Sequence, residues 1–327
     1  MLLNLTQMKQ ITKGVARIEE ENGEFYLLRF TAAQTEAYRA SGNMDFLSKT
    51  FATSGVRLAL RTDSCNLSFD YRLKNASSRT YAWFDVYVNG HLIRHFGTEG
   101  AEITSGHACI SLQEGIKDVE VYLPWSRAAI LSNVELDDGA LVEALNRKHT
   151  MICFGDSITQ GYDAIYPSLS YVCALSRMLD ADSVDKGIGG DRFFPALLAE
   201  SDGFEPQIVT VAYGTNDWGF RTYDDYKQKS RDFYKRLSEL YPRARIFGIS
   251  PICRMDAEKK TPYGAPAYEI DQLLREVCED LPNVTMINGW ALTPNHKSFY
   301  SDFYLHPNDL GFTVYAQNLY CEISKHL

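Results

Sequence analysis

A change of hydrophobic period near residue 149 constrains this chain more than any other feature of its sequence. Before it lie short β-branched or aromatic runs: GEFYLLRF (23–30), VRLALRT (56–62), NLSFDYRL (66–73), TYAWFDVYVNGHLIRHF (80–96), ACISL (108–112) and DVEVYLP (118–124). Long helical periodicity is missing there. Asn89-Gly90 predicts a two-residue type I′ hairpin, because both central residues of that turn need positive φ. The expectation for residues 1–145 is an all-β sandwich or jelly roll. Beyond residue 149, the buried-strand runs TMICFGDS (150–157), PQIVTVAYG (206–214), ARIFGIS (244–250) and NVTMING (283–289) alternate with helix-like stretches at 168–180, 223–240, 266–280 and 309–326. That alternation predicts a second, α/β domain over residues 146–327, with a parallel sheet between helices. Leu310, Val314, Leu319 and Ile323 form the expected inward stripe of the last helix. A length of 327 residues suits two domains.

Charge and cysteine usage narrow the partners. The net charge is −9, and no Lys/Arg run exceeds two residues, which speaks against nucleic acid and against an anionic membrane surface. No stretch approaches the roughly 18 apolar residues of a membrane span, and the N-terminus lacks an apolar signal core. The seven cysteines are scattered without a CxxC, which fits reduced thiols and a cytoplasmic location. No HExxH, P-loop or GxGxxG is present, so neither a metal nor a nucleotide cofactor is expected.

The chemistry concentrates in Phe154-Gly155-Asp156-Ser157-Ile158-Thr159-Gln160-Gly161, where a buried strand ends and turns toward a helix. A serine there sits at the carboxyl edge of the sheet, the usual place for ligands in open α/β folds. A lone serine in this position is more often a helix N-cap. Three further blocks lend it company: Gly187-Ile188-Gly189-Gly190-Asp191, then Tyr213-Gly214-Thr215-Asn216-Asp217, then Leu305-His306-Pro307-Asn308-Asp309.

With these four blocks in order, residues 150–327 resemble the SGNH hydrolases, also called the GDSL esterase/lipase superfamily. The β-rich first part followed by such a domain is similar to two-domain carbohydrate esterases with an N-terminal jelly roll. The resemblance implies a three-layer parallel sheet flanked by helices. Ser157 is the implied nucleophile and His306 its base, while the oxyanion hole would consist of the Ser157 N–H, the Gly190 N–H and the Asn216 side-chain amide. Such a serine needs an imidazole, because a hydroxyl is nearly inert at neutral pH until its proton is accepted.

The acid departs from the family pattern. An Asp is implied three residues before the histidine, but position 303 is Phe and the carboxylate is Asp302, four residues before His306. Either a bulge absorbs the extra residue and Asp302 completes a triad, or a Ser–His dyad leans on a main-chain carbonyl. Phe299, Tyr300, Phe303 and Tyr304 are expected to shield the pair from water. Asp191, Trp218 and Arg254 flank the blocks and are candidate substrate contacts, with simple packing the competing reading for Trp218. The leading expectation is a serine esterase removing small acyl groups, acetyl above all, from a small-molecule or oligosaccharide ester. The alternatives are a lipid-type esterase or thioesterase, and a non-catalytic carbohydrate-binding protein.

Overall fold

The computed structural model describes residues 1–327. Eleven strands come first: β1 (Thr12–Lys13), β2 (Arg17–Glu21), β3 (Glu24–Leu28), β4 (Arg57–Thr62), β5 (Asn66–Asn75), β6 (Phe84–Val88), β7 (His91–Phe96), β8 (Ser105–Ser111), β9 (Lys117–Tyr122), β10 (Arg127–Leu136) and β11 (Glu143–Ala144). They form two antiparallel sheets, β2-β3-β10-β5-β8 and β1-β4-β9-β6-β7, with β11 added on β4. The outer sheet shows the expected alternation, as in β8, where Ala108 and Ile110 point inward. Every residue of β6 is buried, because its sheet packs the sandwich core on one face and the α/β half on the other. The hairpin forms as the sequence predicts, with Asn89 at φ 50° and Gly90 at φ 77°.

Three short helices depart from the all-β expectation: α1 (Leu5–Ile11), α2 (Ala32–Ala40) and α3 (Met44–Lys49). They are too short to show an apolar period, and what starts α1 and α2 is capping: Asn4 with Gln7, and Thr31 with Gln34, form capping boxes. Helix α2 buries Gln34, Thr35 and Tyr38 rather than an aliphatic stripe.

The second half holds β12 (His149–Gly155), β13 (Ala181–Gly187), β14 (Ile208–Ala212), β15 (Arg245–Ile249) and β16 (Val284–Ile287), all parallel in the order β13-β12-β14-β15-β16. Helices α4 (Ser157–Gln160), α5 (Tyr171–Met178), α6 (Thr215–Phe220), α7 (Tyr223–Leu240), α8 (Ile270–Cys278) and α9 (Asp309–Ser324) connect or follow them. Two cores sandwich the sheet. Met151 and Cys153 of β12 face α5 and α9, and the alternate residues Ile152 and Phe154 face α7 and α8. The inward residues of α9 are Phe312, Tyr315, Ala316, Leu319 and Ile323, whereas Leu310 is 56% exposed and Val314 only half-buried. Of the expected stripe, Leu319 and Ile323 face the core, whereas Leu310 and Val314 at the start of the helix do not. No helix is long and apolar enough to cross a membrane.

Strand β13 has no counterpart in the sequence reading. Its residues Asp182, Ser183, Asp185 and Lys186 show no hydrophobic period, yet Asp185 and Lys186 are buried against the sandwich and Ser183 against Ser176 of α5. The Arg29 guanidinium, wholly buried, donates to the carbonyls of Asp185 (2.6 Å) and Gly187 (3.2 Å) on one side and of Lys49 (3.1 Å) and Ala52 (2.6 Å) on the other. Ser54 Oγ donates to Gln160 O and Asp185 Oδ2, both at 2.7 Å, and Lys186 Nζ donates across to Arg29 O and to Gln34 Oε1 (2.8 Å). The halves are joined by charge-assisted hydrogen bonds of the strong class.

Candidate active site

The strand order reverses at β12, with β13 on one side and β14 on the other, and the segments leaving all three carboxyl ends meet there. Ser157 follows β12, the Gly187–Gly190 turn follows β13, and Asn216 follows β14. Asp156 caps α4, its carboxylate accepting the Ile158 N–H at 3.0 Å, so Ser157 occupies the first helical position and is not itself the cap. Helix α4 ends after one turn at Gly161, whose φ of 97° suits glycine and returns the chain beneath Trp125.

Ser157 Oγ lies 2.9 Å from His306 Nε2, and His306 Nδ1 lies 2.7 Å from Asp302 Oδ2. The extra residue of the 302–306 loop is absorbed at Phe303, which takes a left-handed φ of 63°. That turn lets Asp302 Oδ1 accept the N–H groups of Tyr304 (3.0 Å), Leu305 (2.8 Å) and His306 (3.1 Å), while Oδ2 faces the ring. Burial would raise the Asp302 pKa, but the His306 hydrogen bond and the Leu305 and Tyr304 amides outweigh it and hold the group well below the usual carboxylate range. Phe303 and Tyr304 do not shield the pair, being 65% and 41% exposed. Tyr162 does so instead, stacked on His306 at 5.7 Å.

Gly189 and Gly190 sit at the centre of a turn closed by Asp191 N–H on Ile188 O at 3.0 Å. Gly190 has φ 88° and is exposed, and its N–H has no acceptor within the protein. Asn216 is half-buried, one N–H of its amide being fixed on Asp191 O at 3.0 Å.

The three candidate substrate contacts are not open to a ligand. Asp191, 2% exposed, accepts the Tyr38 hydroxyl at 2.6 Å and the Tyr213 hydroxyl at 3.2 Å. Trp218, 1% exposed, donates its indole N–H to Ala265 O at 2.9 Å, with the Arg254 guanidinium 4.5 Å from its ring centre. Arg254 is held by Asp256 and Thr215. These side chains brace the loops that carry Asn216 and Gly190, so packing describes Trp218. Desolvation raises the buried carboxyl groups under the site, Asp156 and Asp217 to about 7 and Asp191 to about 6.

Sequence reasoning missed Asp163 and Arg79. Asp163, with a left-handed φ of 72°, brings Oδ2 to 4.0 Å from His306 Nδ1 and is gripped by Arg79 Nε at 2.6 Å. The Arg79 guanidinium also covers the Tyr162 ring at 5.3 Å. The signal was weak: a lone acid six residues past the serine, and an arginine from the other half of the chain. Asp163, Asp302 and His306 have ligand-type atoms within 4.8 Å of one another, but protein groups already engage both ring nitrogens and both carboxylates, which makes a hydrogen-bonded relay of the cluster.

The sequence profile of the GDSL-like Lipase/Acylhydrolase family matches residues 153–314. Comparison with curated protein sequences gives no match. Among solved structures, the salicylyl-acyltransferase SsfX3 from a tetracycline biosynthetic pathway is similar at 22% identity and TM-score 0.81, over 100% of this chain and 97% of that one. A family two carbohydrate esterase from Clostridium thermocellum, solved with cellohexaose, is similar at 17% identity and TM-score 0.66, over 84% and 93%. An acetyl xylan esterase, Est2A, from Butyrivibrio proteoclasticus gives 15% identity and TM-score 0.66, over 97% and 95%. At these identities the likeness is one of fold, and it spans the sandwich as well as the α/β half. The match of residues 153–314 to the GDSL-like Lipase/Acylhydrolase profile, on a fold shared with carbohydrate esterases, identifies the α/β half as similar to that family and supports a carboxylic ester hydrolase.

Proposed function

We propose that the protein is a serine esterase that removes small acyl groups, acetyl above all, from a carbohydrate. The observation that carries the reading is the continuous line from Ser157 Oγ through both His306 nitrogens to Asp302 Oδ2. Ser157 Oγ attacks the ester carbonyl while His306 Nε2 takes its proton, and the Asp302 carboxylate stabilises the imidazolium that forms. The Ser157 and Gly190 N–H groups and the free N–H of Asn216 receive the negative oxygen of the tetrahedral intermediate. His306 then protonates the departing sugar hydroxyl, and water attacks the acyl-enzyme with His306 again as base. Polar groups beside His306, namely Asp163 with Arg79 and Tyr162, support a hydroxylated substrate over a fatty chain. The seven free thiols support a reducing compartment such as the cytoplasm.

The test is acetate release from acetylated mono- and oligosaccharides, run beside p-nitrophenyl esters of rising acyl length. Ser157→Ala, which removes one hydroxyl and no core volume, should abolish turnover without changing the melting temperature. Preference for long acyl chains would favour a lipid-type esterase instead. Faster discharge of the acyl-enzyme by an added alcohol than by water would point to acyl transfer, the activity that its name gives to SsfX3.

A further inference from the structure

The Gly189–Gly190 peptide has a choice of two orientations. It is the central peptide of the Ile188–Asp191 turn, and a positive φ at Gly190 with the closing bond from Asp191 to Ile188 marks type II. Types I and II differ chiefly by a flip of that central peptide plane, and with glycine at both central positions neither form is sterically excluded. Because the trans peptide is planar, its C=O and N–H point in opposite directions, and a flip would swing the Gly190 N–H away from the site.

The sandwich half holds the carbonyl end. Lys49, at the last position of α3 and 6% exposed, reaches across and donates from Nζ to Gly189 O at 2.9 Å. The same ammonium is steadied by Asp45 Oδ2 at 2.5 Å, and the Lys49 carbonyl is clamped by Arg29. Phe46, one turn earlier on α3, backs the turn closely enough that its ring would lie 3.3 Å from a Cβ placed on Gly190. On the other side, the Gly189 N–H is fixed at 2.7 Å by Gln160 Oε1, from the helix that carries Ser157. The Gly190 N–H alone is left free.

We infer that Lys49 is a positioning residue for the oxyanion hole: its ammonium holds the Gly189 carbonyl so that the Gly190 N–H stays aimed at the reacting carbonyl oxygen. The inference rests on the esterase reading above. An ionic partner on the carbonyl also polarises the peptide, which makes its N–H a stronger donor toward developing negative charge. Lys49 touches no reacting atom, and its effect belongs to the transition state.

The test compares wild type with Lys49→Met and Lys49→Arg on p-nitrophenyl acetate, together with inhibition by a small boronic acid whose tetrahedral adduct on Ser157 places an oxygen in the hole. Lys49→Met should lower kcat by about 10- to 100-fold with KM nearly unchanged, somewhat less than the loss of a hole donor outright. Boronate affinity should fall in parallel, and Lys49→Arg should recover part of both. A merely structural lysine would lower the melting temperature and move neither kcat at temperatures where the variant is folded nor boronate affinity. Where Lys49→Met fails to fold, Lys49→Gln, which keeps a neutral donor, serves with an expected loss of about 3- to 10-fold, below that for loss of a whole hole donor. A folded variant with wild-type kcat and boronate affinity would overturn the role of Lys49 while leaving the esterase intact. A wild-type enzyme without Ser157-dependent turnover would overturn both.

Discussion

Asp302 reaches the His306 ring at 2.7 Å because Phe303, between them in sequence, turns left-handed. One carboxylate oxygen ties the amides of Tyr304, Leu305 and His306 and the other holds the imidazole, so loop closure and ring orientation are a single event. Replacing the carboxylate alone should therefore expose its catalytic share. Asp302→Asn retains an oxygen for the amides but no negative charge for the imidazolium, and kcat should fall by about 10³- to 10⁴-fold, the size seen when such an acid becomes an amide. A loss below tenfold would show a working Ser–His dyad. Steady-state kinetics beside a thermal melt decides it.

At Phe303 the backbone should matter and the side chain should not. A left-handed conformation costs a residue other than glycine about 1–2 kcal/mol, and the exposed ring recovers little of that by packing. Phe303→Gly should keep wild-type kcat and melt no lower, even after the extra freedom of the unfolded chain is counted. Phe303→Val, β-branched, should resist the turn, displace Asp302 and lower kcat tenfold or more, within the roughly 10²-fold cost of small misplacements.

Arg79 neutralises a carboxylate that would otherwise confront the imidazole. With Arg79→Met, Asp163 faces His306 Nδ1 at 4.0 Å without its cation, which favours the imidazolium. The acidic limb of the pH–rate profile should move to higher pH, and the double variant Arg79→Met with Asp163→Asn should move it back. An unmoved limb in the single variant would contradict this.

The buried carboxyl groups make the fold sensitive to base. Asp156 and Asp217 are raised to about 7 and Asp191 to about 6 by burial, against an ordinary value of about 4 in the unfolded chain. The folded state thus holds these protons more tightly. Their stabilising effect is complete below about pH 4 and is lost as pH rises through 6–7. Asp302, shifted downward, acts only below about pH 4 and does not oppose the trend in that window. The melting temperature should be higher at pH 5.5 than at pH 8, and Asp217→Asn should flatten the slope. A flat wild-type profile across that range would refute the assignment.

The hydrophobic period made the four buried strands β12, β14, β15 and β16 and the main helices legible, since their side chains bury in regular stripes. It could not reveal β13, whose buried Asp185 and Lys186 interrupt any apolar run and find partners on the sandwich. The meeting of Ser157, Gly190, Asn216 and His306 was legible from four local blocks, because three are turns at strand ends and the fourth opens α9. Arg79, Asp163 and Lys49 were not, because their meaning lies in contacts to residues 84, 143 and 140 positions away. Leu310 and the aromatic pair Phe303 and Tyr304 show the opposite error, apolar residues assigned inward that the backbone turns outward.

The polar seam along β13 bears on how such a protein can change over evolutionary time. Domains that recombine freely meet through surfaces that water could equally well cover, so either can be inherited without the other. Here separation would part Arg29 from Asp185, both fully buried, and leave two faces that are each incomplete. A buried charge deprived of its partner typically costs about 3–5 kcal/mol, so transplanting the α/β half alone would ask several compensating substitutions to arise at once. The lineage is expected to move both halves as one heritable block, with diversification confined to loops around the serine.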